Sequence, residues 1–262
     1  PKTDPYFYET AYDEEAYQFQ ILACEKILKI KDEAFSLIGK LVTKEGETDE
    51  YAIQQFICKR FSEEGMVYDE APIVAIGPNA SNPHYGPTQD KYSKIKKDDL
   101  VLIDMWAKMN YPNAVYSDIT WMGFVGSKIP QIMEERFAVL RAAVDAGFEY
   151  IKKYYSQRQI KGYEVDDVVR SVVNAAGYGE WFTHRTGHNI SVDETPHGPG
   201  ANIDNYELHD ERTIIDGTSF SLEPGIYAPD FGMRSETNVC IHQNKPLMIA
   251  GKQEKIIAIL EK

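Results

Sequence analysis

Four carboxylates stand where the surrounding residues favour β-strands. Asp104 ends the apolar run "LVLID", and Asp118 interrupts "VYSDITW". Glu223 closes "SFSLE" just before Pro224 and Gly225, and Glu236 follows Arg234 by two residues in "GMRSETNVCI". Acidic residues are depleted in strands and costly to bury without a partner. The segment "HRTGHNISVDETPHG" adds His184, His188 and His197. Four strand carboxylates with one histidine make an oxygen-rich donor set containing one nitrogen. That set suits two divalent ions such as manganese, cobalt, iron or zinc, which would offset four charges of a formal −13. "HRTGH" has the spacing of a zinc-protease helix, but it lacks the Glu after the first His, and its Thr and Gly favour a strand or turn. Taken singly, a strand Asp reads as an edge residue and a His as a satisfied core residue. It is the five together, in this order, that point to a metal centre.

Elements must hold these residues in place. Apolar residues at helical spacing predict a helix over 14–40. A second helix, with Thr48 as N-cap and acids in its first turn, runs to about Glu64 and stops at Gly65. "APIVAIG" reads as a strand, and residues 78–99 as a long surface loop containing His84. "LVLIDMWAKM" and "AVYSDITWMGFVG" flank "NYPN" as a hairpin. A ladder centred on Tyr111 sets Asp104 directly opposite Asp118. Like charges so placed destabilise a strand pair, so one is protonated or a cation lies between them. Strand parity puts Trp121 on the other face, where core packing is its plain reading. A long helix at about 129–155, a shorter one at about 163–175 and strands over about 183–260, broken at Gly and Pro, repeat the order. We expect one α+β domain over 1–262, made of two similar halves with helices outside a curved antiparallel sheet.

Composition narrows the function. A hydrophobic share of 43% and a charged share of 26% describe a globular protein, and no apolar run is long enough to span a membrane. The net charge of −13 argues against nucleic acid and anionic membranes as partners. Residues 1–15 are acidic and resemble neither a signal nor a transit peptide. Three cysteines without metal spacing read as reduced thiols, and two sequons, at Asn79 and Asn189, fall inside segments given functional roles. A cytoplasmic location is the expectation. The first residue is Pro1, not Met, so a processed or recombinant piece of a longer chain is expected.

The segments "PIVAIGPNASNPHY", "DLVLIDMWAKMNYPNAVYSDIT", "HRTGHNISVDETPHG" and "FSLEPGIYAPDFGMRSE" together resemble the pita-bread metallopeptidases: methionine aminopeptidases, aminopeptidases P and prolidases. "EPGIY" followed by "GMRSE" is more similar to the aminopeptidase P and prolidase branch. The resemblance implies a pita-bread fold and a dinuclear exopeptidase acting on short peptides, with proline after the scissile bond. Manganese is the leading metal, with cobalt, zinc or iron as alternatives. Asp104 would bind one ion, Asp118 and Glu236 would bridge both, and His188 and Glu223 would complete the other. Glu223 would serve as general base and acid. His84 and His197 would contact the substrate, and His184 and Arg234 would line the pocket or hold Glu236. A homodimer and a separate N-terminal domain are features of relatives. Three departures stand out: a longer Asp104–Asp118 spacing, His197 two residues further from His188, and Trp121 where many relatives have Arg. The competing readings are a methionine aminopeptidase-like enzyme, a metal-free creatinase-type hydrolase and an inactive binding module.

Overall fold

The computed structural model describes residues 11–260. Residues 1–10 of the acidic N-terminal run, and the two ends of the expected 1–262 domain, lie outside the described residues. Helix α1 (Glu14–Glu45) starts at Asp13, whose side chain accepts from the Ala16 N–H, and ends at Gly46, whose φ of 86° suits a residue without a Cβ. Ile27, Ile30, Ala34 and Ile38 lie on one helical face and are fully buried. Each such isoleucine contributes roughly 1.5–3 kcal/mol by leaving water. Strand β1 (Glu47–Asp49) leads into α2 (Glu50–Glu63). Its N-cap is Asp49 and not Thr48: the Asp49 side chain accepts from the Ala52 N–H, while Thr48 is a strand residue.

Strands β2 (Met66–Val67) and β3 (Ile73–Ile76) follow. The expected 78–99 loop contains the one-turn α3 (Gly77–Ala80) and β4 (Lys94–Lys96), which pairs with β1. The hairpin is β5 (Leu100–Met109) and β6 (Ser117–Phe124), antiparallel. Its register corrects the expectation. Asp104 pairs with Thr120, and Asp118 pairs with Trp106. The ladder is centred on Pro112, because Ala114, Val115 and Tyr116 are buried without joining the strand, and Tyr116 N–H bonds to Ser191 O instead. A two-residue shift preserves the face, so the two aspartates remain on one side as diagonal neighbours and not directly opposed. Trp121 lies on the other side. It is half-buried against the α1 cluster, with the Lys31 ammonium 3.6 Å from its ring centroid.

In the second half, α4 (Gln131–Tyr154) and α5 (Gly162–Ala175) pack on each other. Strands β7 (Asn189–Ile190), β8 (Thr218–Leu222), β9 (Gly225–Ala228), β10 (Phe231–Arg234), β11 (Thr237–His242), β12 (Lys245–Met248) and β13 (Ile257–Ala258) complete the chain. The strands over 183–260 are broken at Pro and Gly as expected; the longest break is 191–217, where Pro196, Pro199 and a run of Asn, Asp and Gly keep the chain irregular. Two helices followed by an antiparallel pair thus occur twice, with helices outside the sheets. One sheet runs β12-β11-β8-β7. A second runs β13-β6-β5-β2, with β3 also on β5 and β13 parallel to β6, while β9 with β10 and β1 with β4 form separate antiparallel pairs.

The two sheets meet along β6 and β11. The Asn238 side chain accepts from Asp118 N–H at 3.0 Å and donates to Asp118 O at 2.5 Å, doing for β6 what a neighbouring strand would do. Glu236 N–H donates to Thr120 O beside it. The candidate residues lie at this seam.

Candidate metal centre

Asp104, Asp118, His188, Arg234 and Glu236 are each at least 93% removed from solvent, and all line one cavity of about 770 Å³ together with Glu223, His84, His184 and His197. Every site residue expected from the sequence therefore reaches the same cavity. Single ligand atoms of Asp118, His188 and Glu236 lie within 4.8 Å of one another. His188 Nε2 is 3.3 Å from Asp118 Oδ2 and 3.6 Å from Glu223 Oε1. Asp104 is turned toward Arg234, whose Nη2 donates to its Oδ2. Glu236 lies in the corner between β10 and β11 and not within a strand as expected; the chain turns there from the β9–β10 pair into the sheet of β11.

Local structure fixes the donors. "HRTGH" is not helical. A Cβ on Gly187 would come within 2.0 Å of Ser221 O, so only glycine lets this segment lie against β8. Ser221 Oγ accepts from the His188 N–H at 3.0 Å and donates to Glu223 Oε1 at 2.9 Å, tying two candidate ligands together. His188 Nδ1 is 3.0 Å from Asn189 O. A carbonyl only accepts, so Nδ1 carries the proton and Nε2 turns its lone pair toward the carboxylates. From α5, Arg170 donates to the Phe182 and His184 carbonyls, and the buried Asp166 accepts from Thr186 N–H at 3.1 Å.

A second chain runs through Tyr227. Arg234 Nη1 donates to Tyr227 Oη at 2.8 Å, Tyr227 Oη donates to His184 Nε2 at 2.7 Å, and His184 Nδ1 donates to Arg185 O. Arg234 Nε donates to Thr120 Oγ1 at 2.8 Å, which donates to Glu236 Oε2 at 2.7 Å. Asn238, Ser221, Thr120 and Tyr227 were not singled out in the sequence. All four lie in the quoted segments, Thr120 in "VYSDITW", Ser221 in "SFSLE", Tyr227 in "EPGIY" and Asn238 in "GMRSETNVCI", but their types alone give them no site role. Buried Glu50 anchors the His84 loop: it accepts from Ile76 and Ser93 N–H, Asn79 Nδ2 and Tyr85 Oη. Both sequon asparagines are thereby engaged, Asn79 with Glu50 and Asn189 with Ser219 O. The three cysteines are free thiols.

The electrostatics suit cations. Burial, then the charge of Glu223, pushes Asp118 well above the ordinary carboxylate range, and burial, then the charges of Asp118 and Glu223, does the same to Glu236. Burial also raises Asp104, against the pull of Arg234. Burial would raise Glu223 too, but His188, His184 and Arg234 outweigh it and hold it low. Oxygen donors in excess of one arginine, with an imidazole lone pair among them, fit divalent metal ions.

A pH test follows for the metal-free protein. Burial lowers His184 and His188 below 6.5, so they add stability as pH rises to about 6.5 and nothing beyond it. Asp118 and Glu236 have the opposite sign. Their folded values lie above their reference values of 3.8 and 4.5, so stability falls as pH climbs toward the folded values. We expect the thermal midpoint in chelator to fall between pH 6.5 and 8. Saturating manganese should abolish that fall; a midpoint in chelator that rises over this window contradicts the assignment.

Known proteins resemble this chain over most of its length. The model for metallopeptidase family M24 matches residues 23–243. A putative Xaa-Pro aminopeptidase of Mycoplasma pneumoniae is 27% identical over 237 residues, 89% of this chain and 61% of that protein. The Xaa-Pro dipeptidase of Pyrococcus furiosus is 31% identical over 232 residues, 86% of this chain and 60% of that protein. The crystal structure of X-Pro aminopeptidase from Thermotoga maritima superposes with a TM-score of 0.80 at 21% identity, covering 96% of this chain and 65% of that one. The chain thus spans about three-fifths of the length of these proteins. Among the described residues, no helix is long and apolar enough to cross a membrane.

Proposed function

Because the chain belongs to metallopeptidase family M24, we propose that it is a dinuclear metal-dependent exopeptidase that hydrolyses the Xaa-Pro bond of short peptides. The observation that carries this reading is the convergence of Asp118, His188 and Glu236, with Glu223 against the same imidazole. Relatives named as Xaa-Pro peptidases support the proline preference.

In this proposal Asp104, Asp118, His188, Glu223 and Glu236 would hold the two ions. When bound, such ions, manganese first among the candidates, would supply an acidified water and a polarised peptide carbonyl. Glu223 stays ionised at neutral pH, so it takes the proton released as the nucleophile forms and returns it to the departing proline nitrogen. Ser221 holds its Oε1, leaving the other oxygen for that transfer. His84 and His197, on loops at the cavity wall, stabilise charge developing on the carbonyl oxygen. Arg234 and His184, joined through Tyr227, keep Glu236 oriented. The cytoplasmic location and the homodimer are part of the same proposal, the former supported by three free cysteines.

The test is dialysis against chelator, followed by assays on Xaa-Pro dipeptides, longer Xaa-Pro peptides and a Met-initiated peptide, with and without manganese. Hydrolysis of Xaa-Pro bonds should vanish on chelation and return with metal. Activity that survives complete metal removal overturns the mechanism, and cleavage of the Met-initiated peptide alone replaces the substrate assignment.

A further inference from the structure

One part of the cavity wall has no role in the centre described above. Trp106 is the register partner of Asp118 and lies two residues beyond Asp104, so its side chain stands on the same face as both. It is half-buried, packed beside Tyr116, Ile190 and Val192, and it lines the cavity. Its Nε1–H donates to Asp69 Oδ1 at 2.6 Å, leaving Oδ2 uncommitted. Glu70 adjoins Asp69 on the same wall. The two arginines of the cavity are already matched, Arg234 by Asp104 and Arg185 by Glu207 at 3.8 Å. Among the described residues no basic side chain pairs with Asp69 or Glu70. The wall beside the metal centre therefore offers an indole face and an oriented carboxylate without its own cation.

We propose that Trp106 and Asp69 form a specificity subsite for a basic side chain, Lys or Arg, on the substrate residue preceding the scissile bond. This rests on the exopeptidase reading above. The aliphatic stem lies on the indole and the cationic head meets Asp69, the two attractions reinforcing one another. Trp106 is the positioning member: its N–H fixes the carboxylate that makes the charge contact.

The test measures kcat/KM of the manganese-loaded enzyme for Arg-Pro, Lys-Pro, Leu-Pro and Asp-Pro. Arg-Pro and Lys-Pro should exceed Leu-Pro by roughly tenfold, with Asp-Pro lowest, and the margin should shrink as salt rises. Asp69→Asn should bring the Arg-Pro to Leu-Pro ratio near one, mainly through KM. Trp106→Phe keeps a ring but loses the N–H, and should give an intermediate ratio. Titration of arginine amide into the wild-type and Asp69→Asn proteins supplies a readout independent of turnover. If no Xaa-Pro substrate is hydrolysed but arginine amide binds and Asp69→Asn weakens it, the exopeptidase reading fails and the subsite stands. A wild-type enzyme that hydrolyses Leu-Pro as well as Arg-Pro overturns the subsite, as does a preference that Asp69→Asn leaves intact.

Discussion

Asp118→Asn is expected to give a folded protein that hydrolyses Xaa-Pro substrates at least a hundredfold more slowly than wild type, with manganese affinity reduced in parallel. In chelator at pH 8 its thermal midpoint should equal or exceed that of wild type. The two effects have one cause. Asp118 lies among carboxylates where its ionised form is disfavoured by burial and by Glu223, so in the metal-free protein its negative charge is a liability. Asn removes the charge at nearly constant volume. The seam between the sheets survives, because Asn238 bonds to the backbone N–H and carbonyl of residue 118 and not to its side chain. With ions present the same charge becomes the attraction that holds them. Loss of activity with a lower midpoint in chelator would mean that Asp118 serves the fold and not the metal. Normal binding of two manganese ions by the variant would remove it from the ligand set.

The legible and illegible parts of the molecule divide along physical lines. Helices α1, α2, α4 and α5 were readable because each buries one apolar stripe, and that stripe is written at helical period in the chain. The hairpin was readable because its two strands are adjacent in sequence. Its register was not, since that depended on Ala114–Tyr116 being drawn away from β5 toward residue 191, a contact no local pattern encodes. The four carboxylates stood out because such residues are anomalous in strands, and the family resemblance then gave them and His188 roles. Their supports stayed hidden. Ser221, Thr120 and Asn238 carry no charge and no ligand chemistry that would mark them, and only the meeting of β6, β8 and β11 turns their side chains into connectors. Trp121 was read correctly as facing away from the site, but the buried Lys31 over its ring was not foreseeable, because it comes from α1 about ninety residues earlier.

The second large effect concerns Arg234. Arg234→Met is expected to destabilise the metal-free protein by about 3–5 kcal/mol, the range for removing one partner of a buried ion pair, measured by urea unfolding in chelator. The guanidinium serves three acceptors in different directions: Asp104, Tyr227 and Thr120. Methionine fills much of the same volume but satisfies none of them. Asp104 would then keep its burial and its repulsion from Asp118 and Glu223 while losing the one charge that opposes them. Arg234→Lys should recover only part of the loss, because a single ammonium cannot reproduce the three-way fork. The discriminating variant is Asp104→Asn combined with Arg234→Met. If the cost of Arg234→Met is mainly an uncompensated carboxylate, the double variant should be more stable than Arg234→Met alone, by at least about 1 kcal/mol of coupling. If the cost is mainly lost hydrogen bonds to Tyr227 and Thr120, the two substitutions should add. Additivity would recast Arg234 as a scaffold for the Tyr227–His184 chain, with the Asp104 charge left for metal alone to neutralise.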